Sequence, residues 1–126
     1  MRAILDTNLV IATDVPPLPG ELAISIATVA ELQFGVLAAT DPRVRAQRLR
    51  RLSILQRRFA PLPVDDAVAA SYGQLAAAAV AAGRKPRART MDLLIAATAH
   101  AHSARLYTRE PDDFAGLDGL VDVVAV

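Results

Sequence analysis

With 126 residues, the chain is long enough for one domain with a hydrophobic core, and its net charge of +1 argues neither for nor against a polyanionic partner. It has no cysteine, which excludes disulfides and thiolate metal sites, and no apolar run near the roughly 20 residues needed to cross a bilayer. The N-terminus lacks the segments of a signal peptide, so we expect a cytoplasmic protein without membrane contact.

The first predicted strand ends in a carboxylate. Arg2 to Leu5 form a short apolar run typical of a buried parallel strand, and Asp6, Thr7 and Asn8 follow directly. Ligands bind at the carboxyl ends of strands in an open parallel sheet, so Asp6 is well placed for chemistry. The alternative is that Asp6 or Thr7 only caps the short helix predicted over 9–13.

A loop with three prolines precedes the second strand, which is predicted over 22–26. The next helix is predicted to begin at Thr28 and to end near Thr40. Thr28 and Glu31 have the spacing of a capping box, in which the glutamate hydrogen-bonds back to the N-cap residue. This structural role competes with a chemical role for Glu31.

The remaining elements continue the alternation of helices and strands. They are an amphipathic helix over 42–59, a third strand over 62–64, a helix capped by Asp65 and stopped by Gly83, a basic loop over 84–89, a buried helix capped by Thr90 and reaching His102, a fourth strand over 105–108, a polar loop over 109–114 and a fifth strand over 120–126. The pattern predicts one domain over 1–126, a three-layer α/β/α sandwich with a five-stranded parallel sheet.

The basic residues are unevenly distributed. Seven arginines and no acidic residue lie between Arg43 and Arg58, and a second cluster comprises Arg84, Lys85, Arg87 and Arg89. Guanidinium groups suit phosphate binding, but a coding sequence rich in G and C gives the same preference for arginine. The two explanations carry equal weight.

Acidic residues follow the first, second and fourth predicted strands, and we expect them at the same carboxyl edge of the sheet. They are Asp6, Glu31, Glu110, Asp112 and Asp113. Asp92 begins a helix, where the helix dipole alone would favour it, and its place depends on the sheet order. Carboxylates that meet raise one another's pKa unless a cation compensates. Oxygen ligands select Mg²⁺ or Mn²⁺, which favours phosphodiester hydrolysis.

Four segments, in their order along the chain, resemble the motifs of a PIN domain, and more narrowly those of the VapC toxins of bacterial toxin–antitoxin pairs. They are Leu5-Asp6-Thr7-Asn8, Thr28-Val29-Ala30-Glu31-Leu32 with Gly35, Arg89-Thr90-Met91-Asp92 with residues 95–99, and residues 107–114. The resemblance implies a sheet of order 3-2-1-4-5 and a divalent-metal-dependent ribonuclease that uses Mg²⁺ or Mn²⁺. It also implies a homodimer inhibited by a VapB-like antitoxin.

The resemblance also assigns site residues. Asp6, Glu31 and Asp92 match the invariant acidic positions, and Asn8 and Thr108 match polar positions that support them. In the implied mechanism a metal-activated water attacks an RNA phosphorus in line, with Asp6 and Asp92 on the principal metal and the other carboxylates completing the pocket.

The fourth carboxylate is left open, because VapC relatives usually carry Asn or Asp where this chain has Glu110. We favour Asp113 as a catalytic and metal-binding residue, with Glu110 second and Asp112 third. Arg89 would orient a carboxylate or a phosphate. The basic loop, with Arg84, Lys85 and Arg87, would bind the RNA backbone or simply be solvated.

Three other functions compete with this interpretation. A receiver domain needs a lysine after its fifth strand, whereas the single lysine, Lys85, lies in the basic loop. His100 and His102 suggest metal-free acid–base cleavage of RNA, although an imidazole at the end of a helix is favoured by the dipole alone. The third is a catalytically inactive PIN-fold module that binds RNA or protein, which only the departure at Glu110 supports.

Overall fold

Four parallel strands form the sheet of the computed structural model, which describes all residues from 1 to 126. In chain order they are β1 (Arg2–Leu5), β2 (Glu21–Ala23), β3 (Arg105–Thr108) and β4 (Val123–Ala125). The spatial order is β2-β1-β3-β4, so β1 and β3 are the central strands. Their carboxyl ends are therefore neighbours.

Helices cover both faces of this sheet. They are α1 (Thr7–Ile11), α2 (Ile26–Ala38), α3 (Pro42–Arg58), α4 (Asp66–Ala81) and α5 (Thr90–Ala101), with 3-10 turns at Pro86–Arg89 and Pro111–Phe114. None of the helices combines the length and the apolar character that a membrane crossing requires.

Side chains of β1 alternate between two hydrophobic cores. Ile4 and Leu106 pack with α4 and α5 on one face of the sheet, whereas Ala3, Leu5 and Tyr107 pack with α2 and α3 on the other. Both faces are thus buried, as the continuous apolar run in β1 predicts. The three-layer α/β/α architecture is confirmed.

The predicted third strand is absent, because residues 62–64 form only a single bridge. Leu62 pairs with Ser25, donating to the carbonyl of Ile24 and accepting from the N–H of Ile26, both at 2.9 Å. Prolines flank Leu62 on both sides, and proline has no N–H to donate to a ladder. The order predicted for the other four strands is correct.

Two helix starts differ from the predictions. Ser25 caps α2, its hydroxyl accepting from the N–H of Ala27 at 3.1 Å, so the capping box of Thr28 and Glu31 is wrong. Thr28 is instead fully buried inside the helix. The cap predicted at Thr90 is also wrong, because the 3-10 turn Pro86–Arg89 leads directly into α5.

Candidate active site

Asp6 lies at the end of β1, and only 4% of its surface is exposed. Its Oδ1 accepts from the N–H of Thr7 at 2.8 Å and caps α1. Its Oδ2 accepts from Thr108 Oγ1 at 2.7 Å and from Asn8 Nδ2 at 3.3 Å. Burial raises the pKa of Asp6, the bonds from Thr108 and Thr7 oppose this, and the charge of Asp113 adds to it.

Thr108 is a fully buried junction at the end of β3. Its hydroxyl donates to Asp6 and accepts from the backbone N–H of Glu110 at 2.9 Å. Asn8 Nδ2 lies 3.4 Å from the same hydroxyl, and Asn8 Oδ1 accepts from the N–H of Arg109 at 3.4 Å. Asn8 and Thr108 therefore both donate to Asp6.

Glu31 is held by a hydroxyl from the neighbouring element. Thr7 Oγ1 donates to Glu31 Oε1 at 2.7 Å and lies 3.0 Å from Thr28 Oγ1. Neither Thr7 nor Thr28 is among the site residues predicted from the sequence. The Thr-x-x-Glu spacing contained the signal, but it was attributed to helix capping.

Asp92 lies half-buried in the first turn of α5. Burial is the largest cause that raises its pKa to about 6, followed by the charges of Asp113, Asp6 and Glu31, while Arg89 lowers it. Four carboxylates from four separate elements thus share one electrostatic environment. Asp92 is the member whose charge is most disfavoured.

Asp113 contributes to this environment from the 3-10 turn Pro111–Phe114. Arg89 Nη1 donates to Asp113 Oδ1 at 3.2 Å and to its backbone carbonyl at 3.1 Å, which ties the turn to the start of α5. Glu110 and Asp112 are exposed, and neither is among the charges that shift Asp92. The geometry favours Asp113, the first of the three alternatives.

The basic loop borders the carboxylates. Arg84 and Lys85 line a small depression together with Arg89 and Asp113, and Arg87 lines a shallow one together with Glu31 and Asp92. The three ion pairs of the structure do not include Arg84, Lys85 or Arg87, so their charges are available to a ligand.

The two histidines lie at the opposite end of α5 from Asp92. His100 Nδ1 is 2.7 Å from Ser71 Oγ, and His102 Nδ1 accepts from Arg2 Nη1 at 3.0 Å. The structure does not bring them to the carboxylates. They do not form a paired acid and base at the site.

The carboxylates fit a hydrated divalent cation. No three acidic or histidine side chains stand close enough to form a closed coordination cage. Mg²⁺ does not need one, because it keeps several waters and is bound through one or two carboxylates. A cation there would also relieve the repulsion that raises the pKa of Asp92.

Sequence comparison identifies the family. The profile described as PIN domain matches residues 3–120. The chain belongs to the PIN-domain family. Within it, Ribonuclease VapC5 of Mycobacterium tuberculosis is 40% identical over 126 residues, covering 95% of this chain and 90% of the relative. Ribonuclease VapC4 of the same organism is 37% identical over 131 residues, covering 99% and 97%. These relatives place this PIN domain among the VapC ribonucleases.

Three solved structures share the fold, and one of them is a member of the VapBC family of toxin–antitoxin systems. A chain of VapBC-5 from Mycobacterium tuberculosis superposes with a TM-score of 0.83 at 38% identity, covering 99% of this chain and 97% of that one. A chain of VapBC2 from Rickettsia felis, bound to a promoter DNA fragment, gives a TM-score of 0.80 at 26% identity, covering 100% and 99%. FitAcB from Neisseria gonorrhoeae gives 0.76 at 33% identity, covering 98% and 96%.

Proposed function

We propose that this chain is a metal-dependent endoribonuclease and the toxin of a VapBC-like toxin–antitoxin pair. The observation that carries the proposal is the shared environment of Asp6, Glu31, Asp92 and Asp113, in which burial, together with the charges of the other three carboxylates, raises the pKa of Asp92 to about 6. A purely structural set of carboxylates would be expected to pair with cations of the chain. Here only Asp113 has one, Arg89.

Each carboxylate has a role in this proposal. Asp6 and Asp92 bind the cation, and Glu31 and Asp113 complete the acidic pocket directly or through waters. The chemistry that a bound Mg²⁺ or Mn²⁺ supplies is activation of the attacking water and polarisation of the scissile phosphate. Thr108 and the N–H of Thr7 hold Asp6 in one orientation.

Basic residues complete the proposed site. Arg89 keeps Asp113 beside Asp92 through its two bonds to the 3-10 turn. Arg84, Lys85 and Arg87 bind phosphates of the RNA on either side of the scissile bond. Unpaired cations close to an acidic centre suit a polyanion that must approach it, because they offset the repulsion between its phosphates and the carboxylates.

The proposed regulation follows from the relatives. The similar chains from Mycobacterium tuberculosis and Rickettsia felis were solved as VapBC assemblies, so we propose a VapB-like antitoxin as the partner of this chain. We also propose a homodimer. Phe34 and Leu37, both 72% exposed on α2, offer an apolar face that association would cover.

The direct test is cleavage of a bacterial RNA pool by the purified chain with Mn²⁺ or Mg²⁺, with EDTA, and with Asp92→Asn. We expect metal-dependent cutting that leaves 5′-phosphates and 3′-hydroxyls. Asp92→Asn should lower the rate by about 100-fold or more, because loss of a cation ligand should cost at least the 10- to 100-fold that loss of a group supporting such a ligand costs. Asp66→Asn is the matched control, because Asp66 is an exposed aspartate in the first turn of α4.

Two outcomes would contradict the proposal. Cleavage that persists in EDTA and leaves 2′,3′-cyclic ends would indicate metal-free chemistry. The second outcome is that neither the wild type nor Asp92→Asn cleaves RNA, while both still bind RNA or a protein partner. That result would favour the inactive binding module.

A further inference from the structure

A chain of three side chains connects the interior of α2 to the carboxylate edge. Thr28 Oγ1 lies 3.0 Å from Thr7 Oγ1, which lies 2.7 Å from Glu31 Oε1. Thr28 is fully buried, whereas Thr7 and Glu31 are half-buried. Thr28 and Glu31 are three residues apart on α2, so they lie on the same face of the helix.

The direction of these hydrogen bonds follows from the groups themselves. An ionised carboxylate only accepts, and a hydroxyl has one hydrogen to donate. The hydrogen of Thr7 therefore points to Glu31, and the hydrogen of Thr28 must point to Thr7. Each bond in such a chain polarises and strengthens the next.

Thr7 also contacts the other side of the site. Its backbone N–H donates to Asp6 Oδ1 at 2.8 Å, while its hydroxyl donates to Glu31 at 2.7 Å. One residue at the start of α1 thus holds two carboxylates, one from the end of β1 and one from α2. Because both bonds start from the same residue, they set the distance and orientation of Asp6 relative to Glu31.

We propose that Thr7, oriented by Thr28, is the positioning residue that fixes Glu31 against Asp6 for binding of a hydrated divalent cation. This inference rests on the proposed function of the same site. Thr7 leaves Oε2 of Glu31 free and restricts the rotamers of a long side chain. Groups that orient metal ligands in this way typically contribute 10- to 100-fold to metal affinity.

The test compares hydroxyl deletions with a conservative replacement, and measures Mn²⁺ affinity by titration calorimetry together with kcat and KM for RNA. Thr7→Val should weaken Mn²⁺ binding about tenfold or more and lower kcat, with a smaller change in KM. Thr7→Ser keeps the hydroxyl and should restore both. Thr13→Val, the same change at an exposed position after α1, is the control.

Thr28 is tested through its dependence on Thr7. Thr28→Val should weaken Mn²⁺ binding less than Thr7→Val does. The double variant should bind no more weakly than Thr7→Val alone, because Thr28 acts only through the Thr7 hydroxyl. Additive losses would show that Thr28 acts by another route, and equal Mn²⁺ affinity in Thr7→Val and wild type would overturn the proposal.

A second measurement separates this inference from the proposed function. In the metal-free protein at pH 7, the ¹³C resonance of the Glu31 carboxyl should move in Thr7→Val and keep its wild-type position in Thr7→Ser and Thr13→Val. Another outcome is that the resonance shifts in Thr7→Val while the wild type neither binds Mn²⁺ nor cleaves RNA. That result would confirm the hydrogen bond between Thr7 and Glu31 but overturn both the metal site and the positioning role. An unmoved resonance would overturn the positioning role alone.

Discussion

At the proposed site, a single residue can combine a structural contact with its proposed chemical role. Asp6 caps α1 through Oδ1 and accepts from Thr108 through Oδ2. The two sequence-based interpretations of Asp6, cap and site residue, are therefore compatible. A carboxylate has about four lone-pair positions, so these bonds leave room for a cation.

The raised pKa of Asp92 lowers the stability of the metal-free protein at neutral pH. Its pKa in the folded state is about 6, against 3.8 for an ordinary aspartate. Between these values the folded state binds a proton that the unfolded state does not, so the free energy of unfolding falls as the pH rises through about 6. The metal-free protein is therefore expected to be more stable at pH 5 than at pH 7.

This predicts that Asp92→Asn stabilises the protein while it lowers the proposed activity. In EDTA at pH 7 the free energy of unfolding should rise by about 1 kcal/mol, a value reduced from the full pKa shift because Asp92 is half exposed to solvent. The difference from wild type should shrink towards pH 5. Urea denaturation at both pH values measures it, with Asp66→Asn as the control. A variant less stable than wild type at pH 7 would show that Asp92 makes favourable contacts that outweigh the burial of its charge and the repulsion from its neighbours.

At the scale of elements, the residues that sequence patterns placed correctly are those with local signals. β3 occupies Arg105–Thr108 as predicted, and α3 begins at Pro42, since an apolar run and a regular period are properties of neighbouring residues. The predicted third strand does not form, because the prolines on both sides of Leu62 have no N–H to donate to a neighbouring strand. The sequence pattern alone does not show whether those N–H groups are required.

Site residues also differ in whether local sequence patterns are enough to place them. Asp6 is at the end of a predicted strand and could be placed from the sequence. Asp92 could be placed only with the sheet order. The bond from Thr7 to Glu31 joins residues 24 positions apart, and no local pattern predicts a contact between α1 and α2.

The 3-10 turn Pro111–Phe114 favours Asp113 over the alternative carboxylates Glu110 and Asp112. Arg89 binds both the side chain and the carbonyl of Asp113, whereas the Glu110 side chain is exposed. Asp113→Asn should therefore weaken Mn²⁺ binding about tenfold or more and lower RNA cleavage. Glu110→Gln, the matched change, should leave both within about twofold of wild type. The reverse result in the same calorimetric and cleavage assays would assign the fourth position to Glu110.

For the whole molecule, the location of charge matters more than its sum. A net charge of +1 gives little long-range attraction for RNA, and the Debye length of about 8 Å at physiological ionic strength restricts each arginine to nearby phosphates. The basic loop borders the carboxylates. By contrast, Arg43, Arg50 and Arg57 are spaced by seven residues on one exposed side of α3.

This difference predicts the salt dependence of RNA binding. Changing Arg84, Lys85 and Arg87 to Gln in an Asp92→Asn background should weaken binding of a fixed single-stranded RNA. The slope of log affinity against log salt should become shallower by about 2, since each lost phosphate contact contributes roughly 0.7. Changing Arg43, Arg50 and Arg57 to Gln removes the same charge and should change the slope by less than about 0.7. Fluorescence anisotropy across a salt series measures both slopes. Equal effects of the two triple variants would mean that RNA responds to total charge, and a larger effect of the α3 variant would move the RNA path from the basic loop to that helix.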